Sequence, residues 1–258
     1  MAYVTIHKRR VYYEAHGRPT PTSPTLLLIH GAGRTHVAWP AELRHLPQAA
    51  VYALDLPGHG RSDGPGRTAV GDYADVVLAF IEALDLQRAV VVGHSMGGAI
   101  AQTIGLRHHP AVRGLVLVGT GARLRVAPAI LGPILVNFET AVQTITSNEW
   151  GPQAPAGLIE EGRVALLQVA PVVLHGDYTA CNAFDVMGQL ERIALPTLVL
   201  AGTADKMTPP KFGQFLAEHI AGAHLVTLEG AGHNMMLEQP GAVAKAIGEF
   251  LREIENGD

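Results

Sequence analysis

The run Val90-Val91-Val92-Gly93-His94-Ser95-Met96-Gly97-Gly98-Ala99-Ile100 limits what this chain can become more than any other stretch. Its β-branched residues favour a strand, and the apolar run stops at Gly93. A helix-compatible run, Met96 to Leu106, begins one residue after Ser95. Gly93, Ser95 and Gly97 form Gly-X-Ser-X-Gly between the two. A serine on so tight a strand-to-helix turn needs an uncommon backbone conformation. Small residues two positions to either side let the chain pass itself without a Cβ clash. The turn lifts the hydroxyl clear of the sheet and aims the first helical N–H groups at whatever it attacks. A glycine-rich turn that binds a phosphate, or nothing, also fits the motif taken alone. Its place directly after an apolar strand favours a nucleophile.

The flanking sequence repeats this strand–helix rhythm. Thr25 to Ile29, Val51 to Leu54, Leu115 to Val118 and Pro196 to Ala201 are apolar runs that read as strands buried on both faces. His224 to Leu228 reads as a last strand. Helices are expected at Val37 to Leu46, at Tyr73 to Leu84 with Asp72 as its cap, at Lys211 to Ile220, and from Pro240 to about Ile254. Tyr3 to Ile6 and Val11 to Glu14 suggest a hairpin with Lys8-Arg9-Arg10 at its turn. Buried strands alternating with amphipathic helices predict a parallel, doubly wound sheet. The rhythm breaks after Gly121. From Ala122 to Val173 no clear strand appears, and helices are expected at Ile130 to Ile145 and Leu158 to Val169. That segment is too apolar for a solvated linker, so it is expected to cover one end of the sheet. Residues 1–121 and 174–258 then form the core.

Several function classes are disfavoured. The net charge is only −4 and the basic triplet is too short for a nucleic-acid footprint. No apolar run reaches membrane-spanning length, and the first ten residues lack the apolar segment of a signal peptide. Cys181 is the one cysteine, so no intrachain disulfide can form. A reducing cytoplasm suits these features.

Ser95 needs a base, and thirteen histidines compete. His233 is the best placed, in the loop Gly230-Ala231-Gly232-His233-Asn234 just after the last strand. His30, His59 and His94 are read as satisfying local backbone groups. His108, His109 and His219 are read as helix-end or surface residues. A carboxylate must fix the tautomer of the base and stabilise its charged form. Asp205 lies just beyond the strand ending at Ala201. Asp55 holds a similar place after an earlier strand and is the rival. The chain order Ser95, Asp205, His233 favours Asp205, and a turn role with Gly58 and Gly60 accounts for Asp55. An oxyanion formed at Ser95 needs two N–H donors. Met96 supplies one, and the loop His30-Gly31-Ala32-Gly33 supplies the other, with Ala32 favoured over Gly33.

These stretches, with Asp55-Leu56-Pro57-Gly58-His59-Gly60-Arg61-Ser62, resemble the α/β-hydrolase superfamily over nearly the whole chain. The likeness is to its esterase and small-molecule hydrolase branches. Ser95 argues against the haloalkane dehalogenases and epoxide hydrolases, whose nucleophile is Asp. The resemblance implies a mostly parallel eight-stranded sheet with helices on both faces and a small helical cap at 122–173. It also implies hydrolysis of a small-molecule carboxylic ester through an acyl-enzyme, with no metal and no other cofactor. Leu131, Ile134, Leu135 and Phe138 are candidates for the apolar lining of the substrate pocket, with Met207 beside them, and packing inside the cap is the alternative for each of those four. C–C bond or lactone hydrolysis, or a lyase reaction, needs the same three residues. A non-catalytic binding protein on this fold needs none of them.

Overall fold

A computed structural model describes residues 2–18 and 23–257. Eight strands form one sheet in the order β1-β2-β4-β3-β5-β6-β7-β8. They are β1 (Ala2–Ile6), β2 (Arg9–His16), β3 (Thr25–Ile29), β4 (Ala50–Leu54), β5 (Ala89–His94), β6 (Val112–Val118), β7 (Thr197–Gly202) and β8 (His224–Leu228). The pairs β1–β2 and β2–β4 are antiparallel. From β4 to β8 every pair is parallel. The hairpin turns at His7 and Lys8, both with positive φ, so Arg9 and Arg10 lie in β2 and not at the turn.

The apolar runs are continuous because both faces of the sheet are covered. Leu27, Ile29, Val91, Leu115 and Leu117 project to one side, where they pack with helices α2 (Val70–Ala83) and α3 (Met96–Leu106). Leu26, Leu28, Val90, Val92 and Val116 project to the other. There they meet Leu43 of α1 (Ala41–Arg44) and the stripe Val243, Ile247, Phe250, Leu251 and Ile254 of α10 (Pro240–Gly257). That stripe recurs at three- and four-residue intervals, the spacing that keeps one helical face apolar. Emptying one such buried position, for instance Leu27→Ala, costs about 2–5 kcal/mol. Helix α2 starts at Val70 with Ala69 as its cap, so Asp72 sits inside the first turn, where its charge still favours the helix N-terminus.

Between β6 and β7 lie α4 (Pro128–Leu131), a 3₁₀ turn at Gly132–Leu135, α5 (Phe138–Glu149), α6 (Ala156–Leu167) and α7 (Pro171–Ala183). The single helix expected at 130–145 is split in two. Pro133 has no N–H to give, and Asn137 caps α5 by accepting from the Thr140 N–H at 3.3 Å. These helices bury a cluster of their own, with Ile134, Ala141, Val142, Ile145, Leu166 and Leu174 at its centre. This helical segment, the expected cap, is closed by a bridge between Arg123 and Asp185, whose side chains pair at 2.7 Å. Residue 173, where that segment is expected to end, lies in α7. The chain closes with α8 (Pro210–His219), α9 (Met235–Glu238) and α10. No helix among the described residues is long and apolar enough to cross a membrane.

Candidate active site

The carboxyl ends of the parallel strands gather the loops at one edge of the sheet, the usual place for a site in an open α/β sheet. Ser95 follows β5, between β3 and β6. Its backbone is held at φ 53° and ψ −114°, a strained region for a side-chain-bearing residue. The surroundings enforce it. Ser95 N–H donates to the Val118 carbonyl at 2.9 Å, and the Thr120 hydroxyl donates to the Ser95 carbonyl at 2.8 Å. A Cβ on Gly93 would strike the backbone of Gly97, and one on Gly97 would strike the Ile29 carbonyl. Only glycine fits on either side of this turn.

Asp205 is wholly buried and accepts four hydrogen bonds. Its Oδ1 takes the N–H groups of Met207 at 2.8 Å and Thr208 at 2.9 Å. Its Oδ2 takes the Thr208 hydroxyl at 2.7 Å and His233 Nδ1 at 2.9 Å. Burial by itself raises the pKa of this carboxyl. The facing His233 and the Thr208 donors outweigh burial, and the group lies below the usual carboxylate range. Burial likewise lowers His233, but the Asp205 charge and hydrogen bond outweigh it and hold the imidazole above its ordinary value. Because Nδ1 donates to Asp205, the neutral ring keeps its lone pair on Nε2. The His233 loop is fixed from the cap: the Glu149 carbonyl accepts the N–H groups of His233 at 2.8 Å and Asn234 at 3.2 Å. Glu238 completes the frame by accepting from Gly151 at 2.9 Å and Gly232 at 3.1 Å.

The other histidines have local partners. His30 Nδ1 donates to the Gly31 carbonyl, and its Nε2 accepts the Leu56 N–H at 3.0 Å. Burial, aided by nearby His59, lowers its pKa to about 4, so it stays neutral. His94 Nε2 donates to the His233 carbonyl at 2.9 Å. Asp55 accepts from the His36 N–H and ring at 2.8 Å and from the Arg61 N–H at 2.9 Å. It ties the loop after β4 together. Its side-chain hydrogen bonds run to His36 and Arg61 and not to His233.

Ser95 and His233 open onto one cavity of about 370 Å³, together with Ala32, Ile130, Tyr178 and Met207. Arg34 and Glu149 also line it. Both are nearly buried and pair at 2.6 Å, so the cavity wall carries compensated charge. Cys181 lines it too, but burial and the charge of Asp177 push its thiol well above the usual range. A protonated thiol is a poor rival to Ser95. In the loop after β3, Gly33 N–H donates to Asp177 and Arg34 N–H to the Gly31 carbonyl. The N–H of Ala32 has no partner among the described residues, and Met96 N–H heads α3.

The expected pocket lining needs correction. Met207 lines the cavity, and so do Leu124 and Ile130. Leu131 and Phe138 instead pack against the internal cluster of the cap, and Ile134 is wholly buried within it. Leu135 is 56% exposed to solvent. The break at Gly132-Pro133 turns the apolar face of this segment inward on the cap. Sequence reasoning also missed Thr208, Glu149, Arg34 and Asp177. Only Thr208 had a local signal, an Asp-X-X-Thr spacing that closes a side-chain turn.

Comparison with known proteins agrees with this architecture. Residues 26–246 match the model of the alpha/beta hydrolase family. The 3-oxoadipate enol-lactonase 2 of Acinetobacter baylyi is 28% identical over 238 residues, covering 89% of each chain. A pimeloyl-[acyl-carrier protein] methyl ester esterase of Neisseria meningitidis is 30% identical, covering 88% of this chain and 93% of its own. A solved structure of a thermophilic esterase is 34% identical with a TM-score of 0.86, covering 98% of this chain and 97% of that one. The chain belongs to the alpha/beta hydrolase family and is a hydrolytic enzyme.

Proposed function

We propose that this enzyme hydrolyses small carboxylic esters, open-chain or cyclic, through an acyl-enzyme on Ser95. The observation that carries the reading is the 2.9 Å bond from His233 to buried Asp205, on a ring that shares its cavity with a strained, glycine-flanked serine. Ser95 Oγ attacks the carbonyl carbon while His233 Nε2 takes the hydroxyl proton. Asp205 stays ionised and steadies the imidazolium. The N–H groups of Ala32 and Met96 take the oxyanion. As the tetrahedral intermediate collapses, His233 returns the proton to the leaving alcohol. Water, deprotonated by the same ring, then attacks the acyl carbon and frees the acid and Ser95. A lactone is an ester closed on itself and needs no other step, and a relative named as an enol-lactonase keeps it in the substrate class. The buried Cys181, with no disulfide partner in the chain, suits a cytoplasmic setting.

Replacing Ser95 by Ala tests the reading. If the three residues act as a unit, turnover of p-nitrophenyl acetate falls on the order of a million-fold. Near wild-type turnover in a folded sample would end it.

A further inference from the structure

We infer that Asp177, on cap helix α7, is a positioning residue for the oxyanion site: its carboxylate seats the loop that carries the Ala32 N–H. The inference rests on the acyl-transfer reading above. Asp177 is wholly buried. Its Oδ2 accepts the Gly33 N–H at 2.8 Å and His59 Nε2 at 2.7 Å. Its Oδ1 accepts the Tyr73 hydroxyl at 2.6 Å. These three partners come from the loop after β3, the loop after β4 and helix α2. One side chain of the cap thus closes a joint between three pieces of the core.

The ring of His59 shows how the buried charge is compensated. Its Nε2 faces the carboxylate and its Nδ1 faces the Pro57 carbonyl at 3.1 Å. Both atoms opposite are acceptors, so both ring nitrogens must donate, which requires the imidazolium. The raised pKa of His59, where the Asp177 charge outweighs burial, agrees. Such a buried pair is a poor way to gain stability alone, since apolar residues of similar volume often do as well. What a carboxylate does, and an apolar side chain cannot, is hold a backbone N–H in place.

The N–H it holds decides which donor remains for substrate. Gly33 sits at φ +64°, and a Cβ there would lie 2.5 Å from Leu174 and 2.7 Å from Leu166, both cap residues. Arg34 N–H is spent on Gly31. Of three consecutive N–H groups, only that of Ala32 is left. Freed from Asp177, the Ala32–Gly33 peptide plane can turn, and because it joins the Gly31–Ala32 plane at the Ala32 Cα, the Ala32 donor in that neighbouring plane shifts with it. Losing an oxyanion donor costs about 10²–10³ in turnover, and displacing one by an ångström costs about 10².

The test is a graded pair, Asp177→Asn and Asp177→Ala, assayed on p-nitrophenyl acetate and with phenylboronic acid, which forms a tetrahedral adduct on a serine. Asparagine keeps one acceptor for Gly33; alanine keeps none. Turnover should fall about tenfold in the first and about 100-fold in the second, with KM within about threefold of wild type. The Ki of the boronic acid should rise in step with the loss of kcat. Tyr73→Phe, which removes a different bond to the same carboxylate, should lower stability and leave Ki unchanged. A purely structural role predicts lower melting temperatures with kcat and Ki at wild-type values, and that result in folded Asp177→Ala overturns the inference. So does a fall in kcat with Ki unmoved. Should the alanine protein not fold, the asparagine protein decides by the same two readouts. If Ser95→Ala retains activity, the underlying reading fails whatever Asp177 does.

Discussion

The sheet edge and the helical segment between β6 and β7, the proposed cap, build the candidate active site by different means. The sheet edge supplies Ser95, Asp205 and His233 from loops directly after β5, β7 and β8. Asp205 is held by Met207 and Thr208 of its own loop, and Ser95 by its flanking glycines and by Val118 and Thr120 at the end of the next strand. The cap supplies fixation from a distance. Glu149 at the end of α5 grips the His233 loop, and Asp177 of α7 grips the loop after β3. Both anchors reach loops that carry proposed chemistry. On the proposed reading, the helices between β6 and β7 are fastened to the two loops that carry the base and an oxyanion donor, and do more than cover the cavity.

The sharpest way to test the sheet side is to remove a carboxylate from each of the two rival positions. Asp205→Asn should reduce turnover about 10⁴-fold, since the amide favours the wrong tautomer of the base. Asp55→Asn should leave kcat near wild type but cost about 1–3 kcal/mol in urea unfolding, from weakened buried hydrogen bonds to His36 and Arg61. The reverse pattern would move the acid to Asp55 and break the division drawn here.

The cap side makes a pH prediction. His233 must be neutral to accept the serine proton, and its pKa lies above the ordinary histidine value because Asp205 outweighs burial. The kcat/KM of the wild type should therefore fall as pH drops through a midpoint above that ordinary value. Glu149 adds to the upward shift and Arg34 opposes it. Glu149→Gln removes one and unmasks the other, so the acid midpoint should move down. It should move less than in Asp205→Asn. An upward movement would mean that the Arg34–Glu149 pair does not act on the imidazole as the geometry implies.

The smallest effect concerns selectivity. Met207 faces the cavity and Phe138 packs within the cap. Met207→Ala should change the octanoate-to-acetate ratio of kcat/KM by roughly ten-fold, as a few methylenes of apolar contact allow. Phe138→Ala should leave that ratio unchanged and lower the melting temperature. A ratio that follows Phe138 and ignores Met207 would put the cap cluster in the pocket.

What the sequence made legible follows the same division. The strand Ala89–His94 and helix Met96–Leu106 can be read directly because an apolar run, two glycines and a serine are all local signals. A mostly parallel sheet is implied by the repeated buried strands, while its strand order is a matter of tertiary pairing. The cap resists such reading. Its helix was broken by Pro133, and its apolar residues bury one another, which periodicity cannot distinguish from lining a cavity. Asp177 is harder still. Its partners Tyr73, His59 and Gly33 lie 104, 118 and 144 residues away. In its own helix it is the one carboxylate, but His175, Tyr178, Thr179 and Asn182 are polar neighbours, and no local pattern marks a residue whose role depends on tertiary contacts alone.

The central claim is a covalent step at Ser95, and mass spectrometry of a rapid quench tests it most directly. Enzyme mixed with p-nitrophenyl acetate and stopped in acid during the first turnover should carry one acetyl group. After digestion, that group should sit on the peptide containing Gly93 to Gly97, at Ser95, and it should be absent from the Ser95→Ala protein. An acetyl group found elsewhere, or full hydrolytic turnover with no acylated serine and no burst of p-nitrophenol, would contradict the account.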